Sequence, residues 1–174
     1  RVANELEDEI IRLGPDNVMA FIAETVVGAT AGALTPVEGY FKRIREICNK
    51  YEILLILDEV MCGMGRTGQL FACAEEEIVP DIITIAKGLG GGYQPIAAMI
   101  CQNFIYETIA QGSGFFQHGH TYLGHSVACA ASLAVVNKLV KENFPEQVRK
   151  KGNYLQKNLE TTLSQCEFIG DIRG

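Results

Sequence analysis

The amino-acid sequence predicts an α/β fold: a mostly parallel β-sheet with helices on both faces, about four strands in all and one of them antiparallel. Three observations lead there. Near-continuous apolar runs at 18–24, 53–57 and 81–86 read as strands covered on both faces, which lose the alternation of half-exposed strands. An amphipathic segment with a helix-start signal separates the first two runs. Strand, helix and strand in that order form the βαβ unit of parallel sheets, whose crossover is right-handed.

The elements follow in order. Residues 3–13 place Leu6, Ile10, Ile11 and Leu13 among acids, an amphipathic helix closed by Gly14 and Pro15. "VMAFIAE" at 18–24 is the first strand. In "TPVE", Thr35 has N-cap chemistry, Pro36 suits the first helical position and Glu38 can return to the cap, so a helix is predicted to start there. Tyr40, Phe41, Ile44, Ile47, Cys48 and Tyr51 then share one face. "ILLIL" at 53–57, "DIITIA" at 81–86 and "IAAMIC" at 96–101 supply the remaining strands. The Gly-rich link before the last is too short for a crossover helix, which makes that strand antiparallel. "HSVACAASLAVVNKLV" at 125–140 is apolar on most sides and predicts a helix buried against its neighbours. A final helix, roughly 145–164, carries Leu155, Leu159 and Leu163 on one stripe.

Composition narrows the function. A chain of 174 residues has the length of one domain, and 48% hydrophobic content with 5 prolines excludes a disordered one. A net charge of −6 without a basic run argues against nucleic-acid and anionic-membrane partners. No apolar run reaches the roughly 18 residues of a membrane span. Small molecules are the partners this leaves. The cysteines at 48, 62, 73, 101, 129 and 166 form no CxxC pair and read as reduced, cytoplasmic thiols. The chain starts at Arg1 and stops at "FIGDIRG", which reads as an approach to another element, so a piece of a longer protein is expected.

In open α/β sheets, ligands bind outside the carboxyl ends of the strands. Two such ends carry chemistry here. Asp58 and Glu59 follow the second strand run, where the ordinary reading is a strand leaving for solvent. Lys87 follows the third and precedes glycines 88, 90, 91 and 92, which let a ligand approach the backbone closely. Tyr93 breaks GxGxxG and no GxxxxGK(S/T) occurs, so nucleotide-phosphate readings fall away. A lysine buried at a strand end is desolvated, which lowers its pKa and frees the amine to attack a carbonyl. Pyridoxal phosphate uses that pairing: a lysine for its aldehyde and a carboxylate for its pyridine nitrogen. An Asp and a Lys alone fit ordinary structure as well, and the surrounding sequence decides.

"ILLILDEVMCGMGRTGQLFACAEEEIVPDIITIAKGLGGGYQPIAA" resembles the signature region of the class III aminotransferases, pyridoxal phosphate enzymes of fold type I. Apolar residues before DE(V/I), the GRTG loop, PD before an apolar strand and an AKG lysine occur in order and register. "FIAETVVGATAGALTP" and "HGHTYLGHSVACAASLAVV" extend the similarity over nearly the whole chain. The resemblance implies an incomplete fold type I large domain. Residues 1–164 would be its central, cofactor-binding part, and 165–174 the start of the connection to a C-terminal domain. It implies transfer of an amino group from an amine or amino acid to a keto acid, with pyridoxal 5'-phosphate as cofactor.

Residue by residue, the resemblance makes Lys87 the Schiff-base lysine and proton carrier, and Asp58 the partner of the pyridine nitrogen. Val60 matches the aliphatic residue against one face of the ring; two positions beyond Asp58, it is expected on the same side of the strand, and ordinary core packing fits it too. Thr121 matches a hydroxyl reaching the cofactor phosphate of the neighbouring subunit, which implies a homodimer with shared sites. Glu24, at the end of the first strand, is expected beside Asp58 in a supporting role. Two close carboxylates oppose each other's ionisation unless a donor separates them. Arg66 is either that donor or a residue holding its own loop. Glu59 is assigned to structure. His118, His120 and His125 lack an accompanying carboxylate or thiolate cluster and read as loop histidines, with no metal.

The sequence also departs from the family. "ETVVGA" stands where many members have EPxQGE, so Ala29 replaces a glutamate that neutralises a substrate-binding arginine in α-ketoglutarate users. Met61 replaces a glutamine near the phenolic oxygen of the cofactor, and Ser126 a usual proline. Ala29 and Met61 together resemble the pyruvate-dependent ω-amine branch, and pyruvate is the expected acceptor. The same Asp and Lys also serve decarboxylases and aminomutases. A truncated, noncatalytic fragment is the remaining alternative, because the family's phosphate-cradling turn precedes this segment and its C-terminal domain follows. Such a fragment would leave open sheet edges and apolar faces, and would associate or bind cofactor poorly.

Overall fold

The computed structural model describes residues 1–173. Four strands, β1 (Ala20–Glu24), β2 (Leu54–Asp58), β3 (Ile82–Ile85) and β4 (Ala98–Cys101), lie side by side in chain order in one sheet. β1, β2 and β3 are parallel, and β4 runs antiparallel to β3. Five helices surround them: α1 (Asn4–Leu13), α2 (Tyr40–Lys50), α3 (Asn103–Gln111), α4 (Ser126–Lys141) and α5 (Phe144–Leu163). The α/β class and the antiparallel last strand are those read from the sequence.

The core lies on one face of the sheet. Leu55 and Leu57 of β2 and Ile83 and Ile85 of β3 point to that face, and α2 packs Phe41, Ile44, Ile47 and Cys48 against it. Ile10 of α1 is buried in the same cluster. Each such side chain contributes roughly 1.5–3 kcal/mol on burial. Odd and even positions of β2 differ accordingly: Leu55 and Leu57 are buried, whereas Leu54, Ile56 and Asp58 are half-buried. The opposite face is the more open one, with Ile22 63% and Met99 49% exposed. Glu24, Asp58 and Thr84 share that open face through the register Glu24 to Asp58 to Thr84.

The "PD" before β3 has a structural reason. Oδ2 of Asp81 accepts from the backbone N–H of Leu55 (2.7 Å) and from Nη1 of Arg45 on α2 (2.7 Å). One carboxylate thereby joins α2, β2 and the entry to β3. Glu7 plays the corresponding part between α1 and α2, accepting from Arg43, Lys50 and Tyr51. Its carboxyl is held below the usual carboxylate range, chiefly by the Lys50 hydrogen bond.

The structure changes two helix readings and adds a helix. α2 begins at Tyr40 instead of the Thr35–Pro36 step, because Tyr40 N–H donates to Val37 O (3.1 Å) in a turn and Gly39 precedes the helix at φ 78°. That left-handed residue breaks helical continuity, and neither Thr35 nor Glu38 makes a capping hydrogen bond. α4 is not buried on most sides: only Ala128 and Ser132 are fully buried, Val136 and Leu139 rest half-buried against the core, and Val127, Leu133 and Val140 are exposed. It packs against the turn after β3 and against α5, which cover one of its sides. The Leu155 and Leu159 stripe of α5 is likewise partly open. α3 went unread, although Ile105 and Ile109 fall at helical spacing.

Asp81→Ala is expected to destabilise the fold by about 3 kcal/mol, since it strands a mostly buried guanidinium and a strand N–H. The urea midpoint reads it, and a midpoint equal to that of the unmutated protein would remove Asp81 from this role.

Candidate active site

The chemistry gathers at the carboxyl edge of the parallel strands. Glu24 and Asp58 end β1 and β2 as direct register partners, as the sequence reading placed them. Each carboxylate turns to its own loop. Oε2 of Glu24 accepts from Gly28 N–H (2.9 Å), and Oδ1 of Asp58 accepts from Val60 N–H (2.9 Å). A short acidic side chain at a strand end captures the amide of the following turn. Oδ2 of Asp58 has no donor among the described residues. The strand ends at Asp58 and Val60 already lies in the turn, so strand alternation does not place its side chain. The visible contribution of Val60 is its N–H, which orients Asp58.

The loops after β1 and β2 meet closely. A Cβ on Gly28 would stand 2.6 Å from Sδ of Met61, so a side chain at that position requires the flexible Met61 side chain to move. Deeper, Glu59 is fully buried. Its Oε1 accepts from Thr25 Oγ1 (3.0 Å) and Cys73 N–H (2.7 Å), and its Oε2 accepts from Ala72 N–H (2.7 Å). Its own N–H donates to Thr84 O (2.9 Å) and extends the β2–β3 ladder. The structural assignment of Glu59 stands, with partners the sequence did not disclose. Burial, and next the Glu59 charge, push the Cys73 thiol up to about 12. Cys62 is raised as well, mainly by burial. Both thiols stay protonated and unreactive near neutral pH.

Lys87 opens a short 3-10 turn, Lys87–Gly90, immediately past β3. It is exposed, so the expected desolvation of its amine does not apply: the turn carries the side chain beyond the strand end, where the chain does not cover it. Its φ of +42° lies in the left-handed region, a strained position for a residue with a Cβ. Gly88 follows with no room for a Cβ, which would lie 2.9 Å from Cβ of Met64. Lys87 lines an open cleft of about 950 Å³ together with Ala29, Met61, Arg66, Val135 and Leu155. Asp58 and Glu24 lie outside that lining, on the open sheet face.

Arg66 is exposed and its guanidinium makes no hydrogen bond among the described residues, so neither role read for it has a contact. Arg149 of α5 braces that loop instead, its Nη2 donating to Gly68 O (2.8 Å). Thr121 is exposed in the turn before α4, and its hydroxyl makes no hydrogen bond among the described residues. His125 caps α4, its Nδ1 accepting from Ala128 N–H (3.3 Å).

The edge therefore offers an oriented carboxylate with one free oxygen, a neighbouring acid tied to its own loop, and an exposed amine one strand over. A carboxylate of this kind holds a proton on a ring nitrogen, and an amine of this kind condenses with an aldehyde. Residues 1–174 match the family model for class-III aminotransferases over their full length. The chain belongs to the class-III aminotransferase family. It is 49% identical to an aminotransferase of Gibberella zeae, covering 100% of this chain and 34% of the relative. It is 42% identical to the diaminobutyrate–2-oxoglutarate transaminase of Halomonas elongata, over 99% of this chain and 37% of that one. Among solved structures, a pyridoxal phosphate-bound amine transaminase from an uncultivated Pseudomonas species superposes with a TM-score of 0.95 at 38% identity, over 99% of this chain and 39% of that one. The chain thus spans little more than a third of the length of these relatives.

The strain at Lys87 gives a stability signature. Lys87→Gly is expected to be about 1 kcal/mol more stable than Lys87→Ala, because glycine alone adopts φ +42° without penalty. Thermal unfolding of the two variants side by side measures it; Lys87→Ala melting at or above Lys87→Gly contradicts the strain.

Proposed function

We propose that the protein containing this chain transfers an amino group from an amine or amino acid to a keto acid, using pyridoxal 5'-phosphate bound at the carboxyl edge. The observation that carries the reading is Asp58: one oxygen fixed by Val60 N–H, the other free, on the strand next to the one that delivers Lys87. When bound, the cofactor supplies an electron sink for the carbon that loses its proton. Asp58 would hold the proton on the pyridine nitrogen, Lys87 would bind the aldehyde carbon and carry the proton between the reacting carbon of the substrate and that aldehyde carbon, and Val60 would pack against the ring. Glu24, tied to Gly28, supports the loop beside Asp58. Arg66, free of protein partners, is available to a ligand in the cleft. Thr121, on the exposed segment before α4, reaches the cofactor phosphate of a second copy, so the working unit is a homodimer with shared sites. Residues 1–164 form the central part of the cofactor domain, and the segment from 165 leads toward a further one. The protein works in the cytoplasm; none of the described helices is long and apolar enough to cross a membrane.

Pyruvate is the proposed acceptor. Ala29 and Met61 both line the cleft; Ala29 leaves no carboxylate to balance a substrate-binding arginine, and Met61 offers no side-chain amide to the phenolic oxygen of the cofactor. A 2-oxoglutarate user is the competing choice.

The test uses the full-length protein. Added pyridoxal phosphate followed by borohydride should label Lys87 alone, and Lys87→Ala should lose the label. Asp58→Asn, which cannot hold the ring proton as an anion does, should lower turnover on the order of 10²-fold. Labelling elsewhere, or none at saturating cofactor, sinks the reading. Turnover with pyruvate against 2-oxoglutarate decides the acceptor.

A further inference from the structure

We propose that Glu59 is a positioning residue for the Lys87 amine, acting through Met64 and Gly88; this rests on the function proposed above. Glu59 closes the long loop between β2 and the 3-10 turn Ala72–Glu76 at both ends. Its side chain accepts the amides of Ala72 and Cys73 at the far end, while its carbonyl accepts Gly63 N–H (2.9 Å) at the near end. Thr25 ties the same carboxylate to the end of β1. Inside the closed loop, Met64 is buried and held at φ +54°, a conformation a free loop would not keep.

Met64 is the loop's contact with the lysine turn. Its Cβ would stand 2.9 Å from a Cβ on Gly88, so its side chain rests directly on the backbone that follows Lys87. Two left-handed residues, Met64 and Lys87, are thereby packed into one arrangement. Loosening the loop lets Met64 withdraw and lets Lys87 relax from its strained turn. The carboxylate is specifically required. Three donors converge on it, and a glutamine amide would turn an N–H toward at least one of them. A buried charge that stabilises little against an apolar alternative is suited to fixing geometry.

The experiment compares Glu59→Gln with the unmutated full-length protein after loading with pyridoxal phosphate and counting labelled Lys87. Turnover per loaded site should fall about tenfold, as expected for a displaced reacting group, while the KM for the amino donor changes less than twofold. A purely structural role lowers thermal stability or the loaded fraction and leaves turnover per loaded site unchanged. In a Met64→Ala background, Glu59→Gln should add less than a further twofold, because the path is already cut. Thr25→Val removes one donor and keeps the carboxylate; it should show the same split at smaller amplitude, and it carries the test if Glu59→Gln does not fold. Unchanged turnover per loaded site in the variant that folds, or a full tenfold loss in the Met64→Ala background, overturns the positioning role with Lys87 labelling intact. An unmutated protein that takes no label at Lys87 overturns the proposed function and this inference together.

Discussion

Parallel pairing of β1 with β2, residue for residue from Ala20 against Leu54 to Glu24 against Asp58, sets two carboxylates side by side at one edge of the sheet. Like charges on paired strands repel. The structure answers with local amides: Gly28 N–H holds Glu24 and Val60 N–H holds Asp58, so each acid is drawn into its own turn. Among the described residues no arginine bonds to either carboxylate. The rest of the edge follows from the next parallel pairing, in which the β2–β3 register puts Thr84 next to Asp58 and delivers Lys87 just past β3.

Charge one residue further on is handled oppositely. Glu59 points to the packed side, fully buried, and draws three donors from two separate places in the chain. Adjacent residues of one strand end thus have unrelated tasks: Asp58 keeps an oxygen available, whereas Glu59 keeps none. Strand alternation separates them.

Much of this was legible in the sequence. The strands were, because apolar runs of strand length sit between glycine-rich loops, and the antiparallel β4 was, because no helix fits in its connection. Glu24 beside Asp58 was readable from strand ends alone. The start of α2 was misread because "TPVE" carries capping-box chemistry, while the decisive fact is a backbone angle at Gly39. The apolar character of α4 announces a surface that packs, without saying against what. Lys87 was expected to be desolvated because its strand is apolar, yet the turn takes it out of the sheet. The partners of Glu59 were beyond reach: Thr25 is 34 positions back and Cys73 is 14 ahead, and no local pattern links them.

The contact between Gly28 and Met61 couples the two positions. With 2.6 Å from the missing Cβ to the sulfur, a side chain at 28 displaces the flexible thioether of Met61, which is 40% exposed and borders the open cleft instead of packed neighbours. A change at 28 therefore reshapes the cleft wall by way of 61, and a diversification scheme aimed at the cleft gains by varying the two together.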